Sequence, residues 1–170
     1  MHSDIDLLSP DPVRIGALAL VRTDCGEVLT VHPTNGSRHF QLPGGHCRAG
    51  ERLAVAGARE LFEETGLTLP RGRLLAVDET DADPNVRAVG INFVYDYGVC
   101  DDPASIRLPA PPGNGEPAEL DTYVWLAPDL LDEYCADSMA KRIRWSLFAL
   151  EENTTVSLVR GELVGPEGGH

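Results

Sequence analysis

The sequence predicts an α/β fold in which a mixed β-sheet is packed between helices. Three observations carry this reading. The elements fall in the order β-β-β-α-β-β-β-α, which places helices against a sheet rather than in a bundle. Two segments, near residues 53–65 and 138–151, carry helical periodicity. The chain of 170 residues with 42% hydrophobic content suits one domain with a sizeable core. Residues 1–12 read as a tail, 13–164 as a single domain, and 165–170 as a second tail.

Val13–Arg22 and Glu27–His32 are apolar, β-branched runs around Asp24-Cys25-Gly26, the pattern of a hairpin. Residues 33–38 form a polar loop, and His39–Leu42 is a short strand feeding the turn Leu42-Pro43-Gly44-Gly45. Leu53–Thr65 is a helix. At about 100° per residue its Ala54, Ala58, Leu61, Phe62 and Thr65 share one arc, the expected core face. Gly66 stands where a helix commonly ends in a left-handed residue, with Pro70 shortly after. Gly72–Glu79 and Ala88–Cys100 are strands, and residues 101–118, rich in Pro, Gly and Asp, are a long loop. Loops of that length are uncommon and often functional. Leu120–Leu126 is a strand, followed by a short turn or helix from Pro128. Ser138–Glu151 is a helix with Met139, Ile143, Leu147 and Leu150 on one side, and Val156–Val164 is a final strand.

The chemistry concentrates in the first helix. Glu60, Glu63 and Glu64 stand at i, i+3 and i+4, neighbours on one helix face opposite the expected core arc. Like charges so placed repel by roughly 0.2–0.5 kcal/mol per pair. Such a face either loses stability or holds a cation. Carboxylate oxygens suit Mg²⁺, and Mn²⁺ accepts similar ligands. No Cys or His joins at a spacing that suits zinc. Glycines at 44 and 45 let backbone carbonyls approach a ligand closely. Arg59 lies beside the cluster and Glu51 one loop away, so a two-bond guanidinium–carboxylate pair can fix the turn against the helix.

From Gly45 the residues run glycine, five residues, Glu51, seven residues, then Arg59-Glu60-Leu61-Phe62-Glu63-Glu64-Thr65-Gly66-Leu67. This resembles the Nudix box at every defined position, a match with a chance on the order of 10⁻⁹ per start with average residue usage. The resemblance, from about Val13 to Leu150, implies a Nudix-type α/β/α sandwich. It implies an Mg²⁺- or Mn²⁺-dependent hydrolase that cleaves a nucleoside diphosphate linked to another group, X. Carried over by position, Glu60, Glu63 and Glu64 are metal ligands joined by the Gly45 carbonyl, and Glu51 and Arg59 are the supporting pair. Many relatives form dimers, so a homodimer is an expectation of the resemblance alone. Pro84 follows the box as a proline does in ADP-ribose-cleaving relatives.

Position leaves the base open. It is one of the box glutamates or an acid of the long loop, Glu116 or Glu119; the order of preference is Glu64, Glu63, Glu119. Arg38 and Arg22 are candidates for a phosphate clamp. Phe93, Tyr95, Tyr123 and Trp145 are available to stack on a base, with none preferred. Two other readings of the same resemblance are a nucleotide-binding sensor without catalysis and an isoprenoid diphosphate isomerase. The intact box argues against the first, and the missing catalytic-cysteine motif against the second.

The net charge of −13 disfavours long nucleic acid or an anionic membrane as partner. It also means that a small diphosphate substrate is repelled unless cations neutralise it. No run reaches the roughly 18 apolar residues of a membrane span, and residues 1–12 lack the parts of a signal peptide. Cys25, Cys47, Cys100 and Cys135 form no disulfide framework, so a cytoplasmic protein with reduced thiols is expected.

Overall fold

The computed structural model describes residues 13–81 and 89–165. The tail 1–12, the Pro84 position and the end of the second tail lie outside them. Eight strands form one mixed sheet. They are β1 (Val13–Arg22), β2 (Val28–Pro33), β3 (Gly44–His46), β4 (Leu74–Thr80), β5 (Val89–Val99), β6 (Leu120–Leu126), β7 (Val156–Val159) and β8 (Glu162–Leu163). The helices are α1 (Leu53–Thr65), α2 (Leu131–Tyr134) and α3 (Asp137–Glu151).

The sheet order is β6-β2-β1-β5-β4-β7-β8, with β3 on β1. β1 runs parallel to β5, and β4 parallel to β7; β2, β3, β6 and β8 are paired antiparallel. One edge of β1 is divided. Gly16–Leu18 pair with β3, and Arg22 pairs with Val28 of β2. That division opens the sheet beside the glycine turn.

Alternate residues of β1 feed two cores, as strand periodicity requires. Leu18 and Leu20 join Val94, Leu75, Ile143 and Leu158 beneath α3. Ala19 and Val21 join Leu29, Leu61, Tyr95 and Tyr97 beneath α1. The long 101–118 segment is partly fastened to this second core. Ile106 is buried in it, the Arg107 N–H donates to Thr65 O at 2.8 Å, and Trp125 Nε1 donates to Pro103 O at 3.2 Å. Its far end delivers Glu119 to the mouth of the open sheet edge.

Three expectations are corrected. The short strand expected at His39–Leu42 contributes only isolated bridges at Phe40 and Gln41, and the strand itself is β3. Pro43 has no N–H to give, and its carbonyl accepts from Ala19 N at 2.8 Å. Gly44 then passes so close to β1 that a Cβ on it would lie 2.8 Å from Leu18 Cα. The strand needs the glycines that make it look like a turn. The second correction is the last strand, which is a hairpin. Arg160 and Gly161 turn it with φ of 53° and 79°, the left-handed pair that matches strand twist.

The third correction concerns the face of α1. Phe62 is 58% exposed, and Ala58 is exposed too, whereas Ala56, Gly57, Leu61, Glu64 and Thr65 are buried. Gly57 decides the orientation. A Cβ there would stand 2.7 Å from the Tyr97 hydroxyl and 3.6 Å from Ala17 Cβ. The helix therefore approaches the sheet along its smallest residues, and Glu64 goes inward with them.

Candidate functional site

Arg59 organises the acidic cluster. Its Nε and Nη2 donate to the two oxygens of Glu51 at 2.8 and 2.9 Å, a two-bond clamp. Nη1 donates to Glu60 at 2.6 Å and to Glu63 at 3.1 Å, and Nη2 also reaches His46 O at 3.2 Å. One guanidinium thus ties α1 to the loop before it and to the end of β3. The backbone N–H of Arg48 adds a bond to Glu51 at 2.9 Å, and its side chain reaches Glu63 at 3.3 Å. The Arg59 guanidinium, with that N–H second, holds the Glu51 carboxyl at about 2, far below its ordinary value. Arg59 is in turn raised, chiefly by its bonds to Glu51.

Glu64 is anchored differently. It is only 5% exposed, and its Oε2 accepts from the Gly44 N–H at 2.7 Å. Burial pushes its carboxyl up to about 8, against the opposing pull of that N–H. The charges of Glu60, Glu119 and Glu63 add to the rise. Glu60 lies against Gly45, where a Cβ would meet its carboxyl carbon at 2.7 Å.

Two adjoining compartments share Gln41, Gly44, Gly45 and His46. The larger, about 470 Å³, is lined by Glu64 and Glu119 together with Pro117, Leu120, Thr34 and Asn35. The smaller, about 210 Å³, lies between the sheet and α3 and is walled by Gly16, Leu18, Leu42, Asn92, Met139 and Arg142.

The structure brings Glu51, Arg59, Glu60, Glu63, Glu64 and Gly45 together, and sets Glu119 in the lining of the larger compartment with Glu64. It does not bring Arg22 there: Arg22 ends β1 and donates to Asp96 at 3.2 Å. Arg38 is exposed in the loop before β3 and lines neither compartment. Glu116 is exposed and accepts from Asn114 at 2.9 Å. Phe93, Tyr95, Tyr123 and Trp145 all pack into the two cores and line neither compartment.

The donor set at the acidic compartment fits a hard divalent cation. It is all oxygen, from three clustered carboxylates and the Gly45 carbonyl. Among the described residues no three acidic, histidine or cysteine side chains are grouped closely enough to hold a metal as they stand. Arg59 takes up Glu60 and Glu63 instead. Glu60, Glu63, Glu64 and the Gly45 carbonyl are the residues that would hold such a cation, in competition with that guanidinium.

One pair went unmarked in the sequence. Asp78 of β4 is wholly buried, and Arg142 of α3 bonds it through Nε at 2.6 Å. Their only signal was a charge placed mid-strand and another on the apolar side of a helix.

The NUDIX domain family matches residues 12–146. The m7GpppN-mRNA hydrolase NUDT17 of Danio rerio is 28% identical over 130 residues, 70% of this chain and 43% of that protein. The chain thus spans less than half the length of this curated relative. The MutT NUDIX hydrolase of Burkholderia pseudomallei has a crystal structure that is 25% identical, with a TM-score of 0.61, covering 85% of this chain and all of that one (100%). The NUDIX domain of Shewanella oneidensis NrtR, solved with ADP ribose, is 19% identical with a TM-score of 0.63, covering 88% and 94%, a likeness of fold. No helix among the described residues is long and apolar enough to cross a membrane.

Proposed function

The chain belongs to the NUDIX domain family, and from that premise we propose that it is a pyrophosphohydrolase dependent on a divalent cation. Its substrate is a nucleoside diphosphate linked to another group, or a nucleoside triphosphate, cut between phosphates. The products are a nucleoside monophosphate with a phosphorylated partner, or with pyrophosphate. The observation that carries this reading is the Arg59 clamp, which gathers Glu51, Glu60 and Glu63 beside the compartment that Glu64 and Glu119 face. Ion pairs alone would not favour so many acids in one place.

Glu60, Glu63, Glu64 and the Gly45 carbonyl would hold Mg²⁺ or Mn²⁺, which supplies charge neutralisation for the diphosphate and a more acidic bound water. The chain's own groups do the rest. Gly44 N–H orients the Glu64 carboxylate. Arg59 balances Glu60 and Glu63 and keeps the loop before α1 in register. Glu64 is the preferred base, because its buried carboxylate is held at the wall of the larger compartment by the Gly44 N–H. Glu63 and then Glu119 follow, Glu119 because it lines the same compartment as Glu64. A cytoplasmic setting belongs to this reading, in keeping with four free cysteines.

The test is a phosphate-release screen with Mg²⁺ and with Mn²⁺. It covers nucleoside triphosphates, ADP-ribose, dinucleoside polyphosphates, nucleotide sugars and prenyl diphosphates. The expected outcome is cation-dependent release from a nucleotide. Absence of turnover on every member would contradict hydrolysis and leave a binding module.

A further inference from the structure

We infer that the smaller compartment selects the base of the substrate, and that Arg142 and Asn92 choose a base carrying a ring carbonyl over one carrying an amino group. The inference rests on the nucleotide hydrolase reading above for what enters the neighbouring compartment.

Arg142 is the starting point. It is 5% exposed, and a guanidinium so buried costs several kcal/mol unless it is paired. Asp78 pairs it, meeting Nε and Nη2 through Oδ2 at 2.6 Å each. The other oxygen, Oδ1, accepts the Gly161 N–H at 3.1 Å. Both carboxylate oxygens are therefore engaged. Among the described residues Nη1 has only the sulfur of Met139, at 3.8 Å, a weak acceptor. Buried ion pairs are often no more stabilising than apolar residues of the same volume. The pair gains a purpose where its guanidinium lines the compartment with donors to spare.

Two further side chains point the same way. Asn92 and Gln41 both line the compartment, and neither carboxamide has a hydrogen-bond partner among the described residues. Gly16 gives Asn92 its place: a Cβ on Gly16 would lie 2.5 Å from Asn92 Oδ1. The remaining walls, Leu18, Leu42 and Met139, are apolar. A few convergent polar groups in an apolar pocket are the usual makeup of a specificity site.

Size and position restrict the occupant. At about 210 Å³ the compartment is smaller than the roughly 300 Å³ at which whole-ligand sites begin, so it takes one ring-sized group. It adjoins the acidic compartment along Gln41, Gly44, Gly45 and His46. A nucleotide with its diphosphate at the glutamates lays its base here. Arg142 can only donate, so it needs an acceptor such as a ring carbonyl. The carboxamides supply the donor and acceptor for the adjoining ring N–H and carbonyl. An exocyclic amino group in the same place sets donor against donor, and unpaired buried polar groups give strong discrimination. Asp78 is the positioning residue, acting through Arg142.

Nucleosides test this without metal and without hydrolysis. Inosine and adenosine differ at the carbonyl-or-amino position, and uridine adds a smaller carbonyl base. Binding to the full-length, metal-free protein is followed by chemical-shift titration. Inosine and uridine are expected to bind about ten-fold or more tighter than adenosine. Asn92→Ala and the charge-free double variant Asp78→Asn/Arg142→Met, which leaves no buried lone charge, are expected to bring the three ligands level. Adenosine binding as well as inosine, no binding by any of the three, or an unchanged preference in both variants would overturn the assignment. None of these results bears on whether the acidic compartment hydrolyses a diphosphate, so the two readings fail separately.

Discussion

The two compartments on either side of the Gln41–His46 segment handle charge in opposite ways. Beside the larger one, three glutamates, Glu51, Glu60 and Glu63, answer to Arg59 and Arg48, and Glu64 is buried against the repulsion of Glu60, Glu63 and Glu119. In the smaller one, a single buried guanidinium is matched by a single buried carboxylate, and the other polar side chains are the amides of Gln41 and Asn92 and the His46 imidazole. The first arrangement is short of positive charge, which a divalent cation would supply under the function proposed above. The second is already balanced and offers directed donors. We read the first as the place of chemistry and the second as the place of choice. On this reading, excess charge marks the proposed reaction site, and satisfied charge with leftover donors marks the proposed recognition site.

The largest effect that sharpens this contrast lies in the acidic compartment. Glu64→Gln and Glu63→Gln are each expected to cut turnover by at least about 10²-fold, as loss of charged metal ligands does. Initial rates on the best substrate of the screen check this. A smaller loss belongs to the second compartment. Asp78→Asn/Arg142→Met is expected to lower kcat/KM by about ten-fold for a carbonyl-base substrate and to narrow its advantage over an adenine one. Equal losses for both bases would erase the division of labour.

The pH response separates the compartments again. The folded-state value of Glu64 is raised from 4.5 to about 8, so between those values the fold keeps a proton that the unfolded chain has lost. Stability of the metal-free protein therefore falls as pH rises from 4.5 toward 8. Glu51 is shifted the other way, to about 2, so its contribution is present above 4.5 and is lost as pH falls toward 2. Urea midpoints across this range are expected to decline on both sides. Glu64→Gln removes the upper decline and leaves the lower one, and an upper decline that survives it would assign the proton elsewhere.

The smallest effects concern the scaffold that holds both compartments. Gly57→Ala puts a methyl 2.7 Å from the Tyr97 hydroxyl and is expected to cost about 1–3 kcal/mol, as overpacking does. Tyr97→Phe removes a buried hydroxyl that has no hydrogen-bond partner among the described residues, and it is expected to be neutral or stabilising by about 1 kcal/mol. Denaturant unfolding measures both.

The acidic compartment was the legible half. The span of α1, its stop at Gly66 and the Arg59–Glu51 clamp all follow from local spacing, and each is present. What spacing missed was which face of α1 turns inward. Hydropathy weights Phe62 and Ala58 above Gly57, yet close approach to Tyr97 favours the residue with no side chain. Glu64 was read as facing away from the core because its partner, the Gly44 N–H, lies 20 residues back in the chain. The second compartment was illegible for a related reason. Asp78 and Arg142 are 64 residues apart, and a charge in a helix reads as solvated until its partner is seen. Similarly, β3 hid behind its glycines and the β7–β8 hairpin behind an Arg-Gly turn.

The central claim is that the acidic compartment hydrolyses a diphosphate with a bound divalent cation. The most direct test is turnover of the best nucleotide substrate as Mg²⁺ is titrated into chelator-treated protein, wild type beside Glu63→Gln. The account predicts no turnover without cation, saturable recovery in the wild type, and recovery at least about 10²-fold weaker in the variant. Turnover that persists in chelator, or that the variant recovers at the wild-type rate, would contradict it.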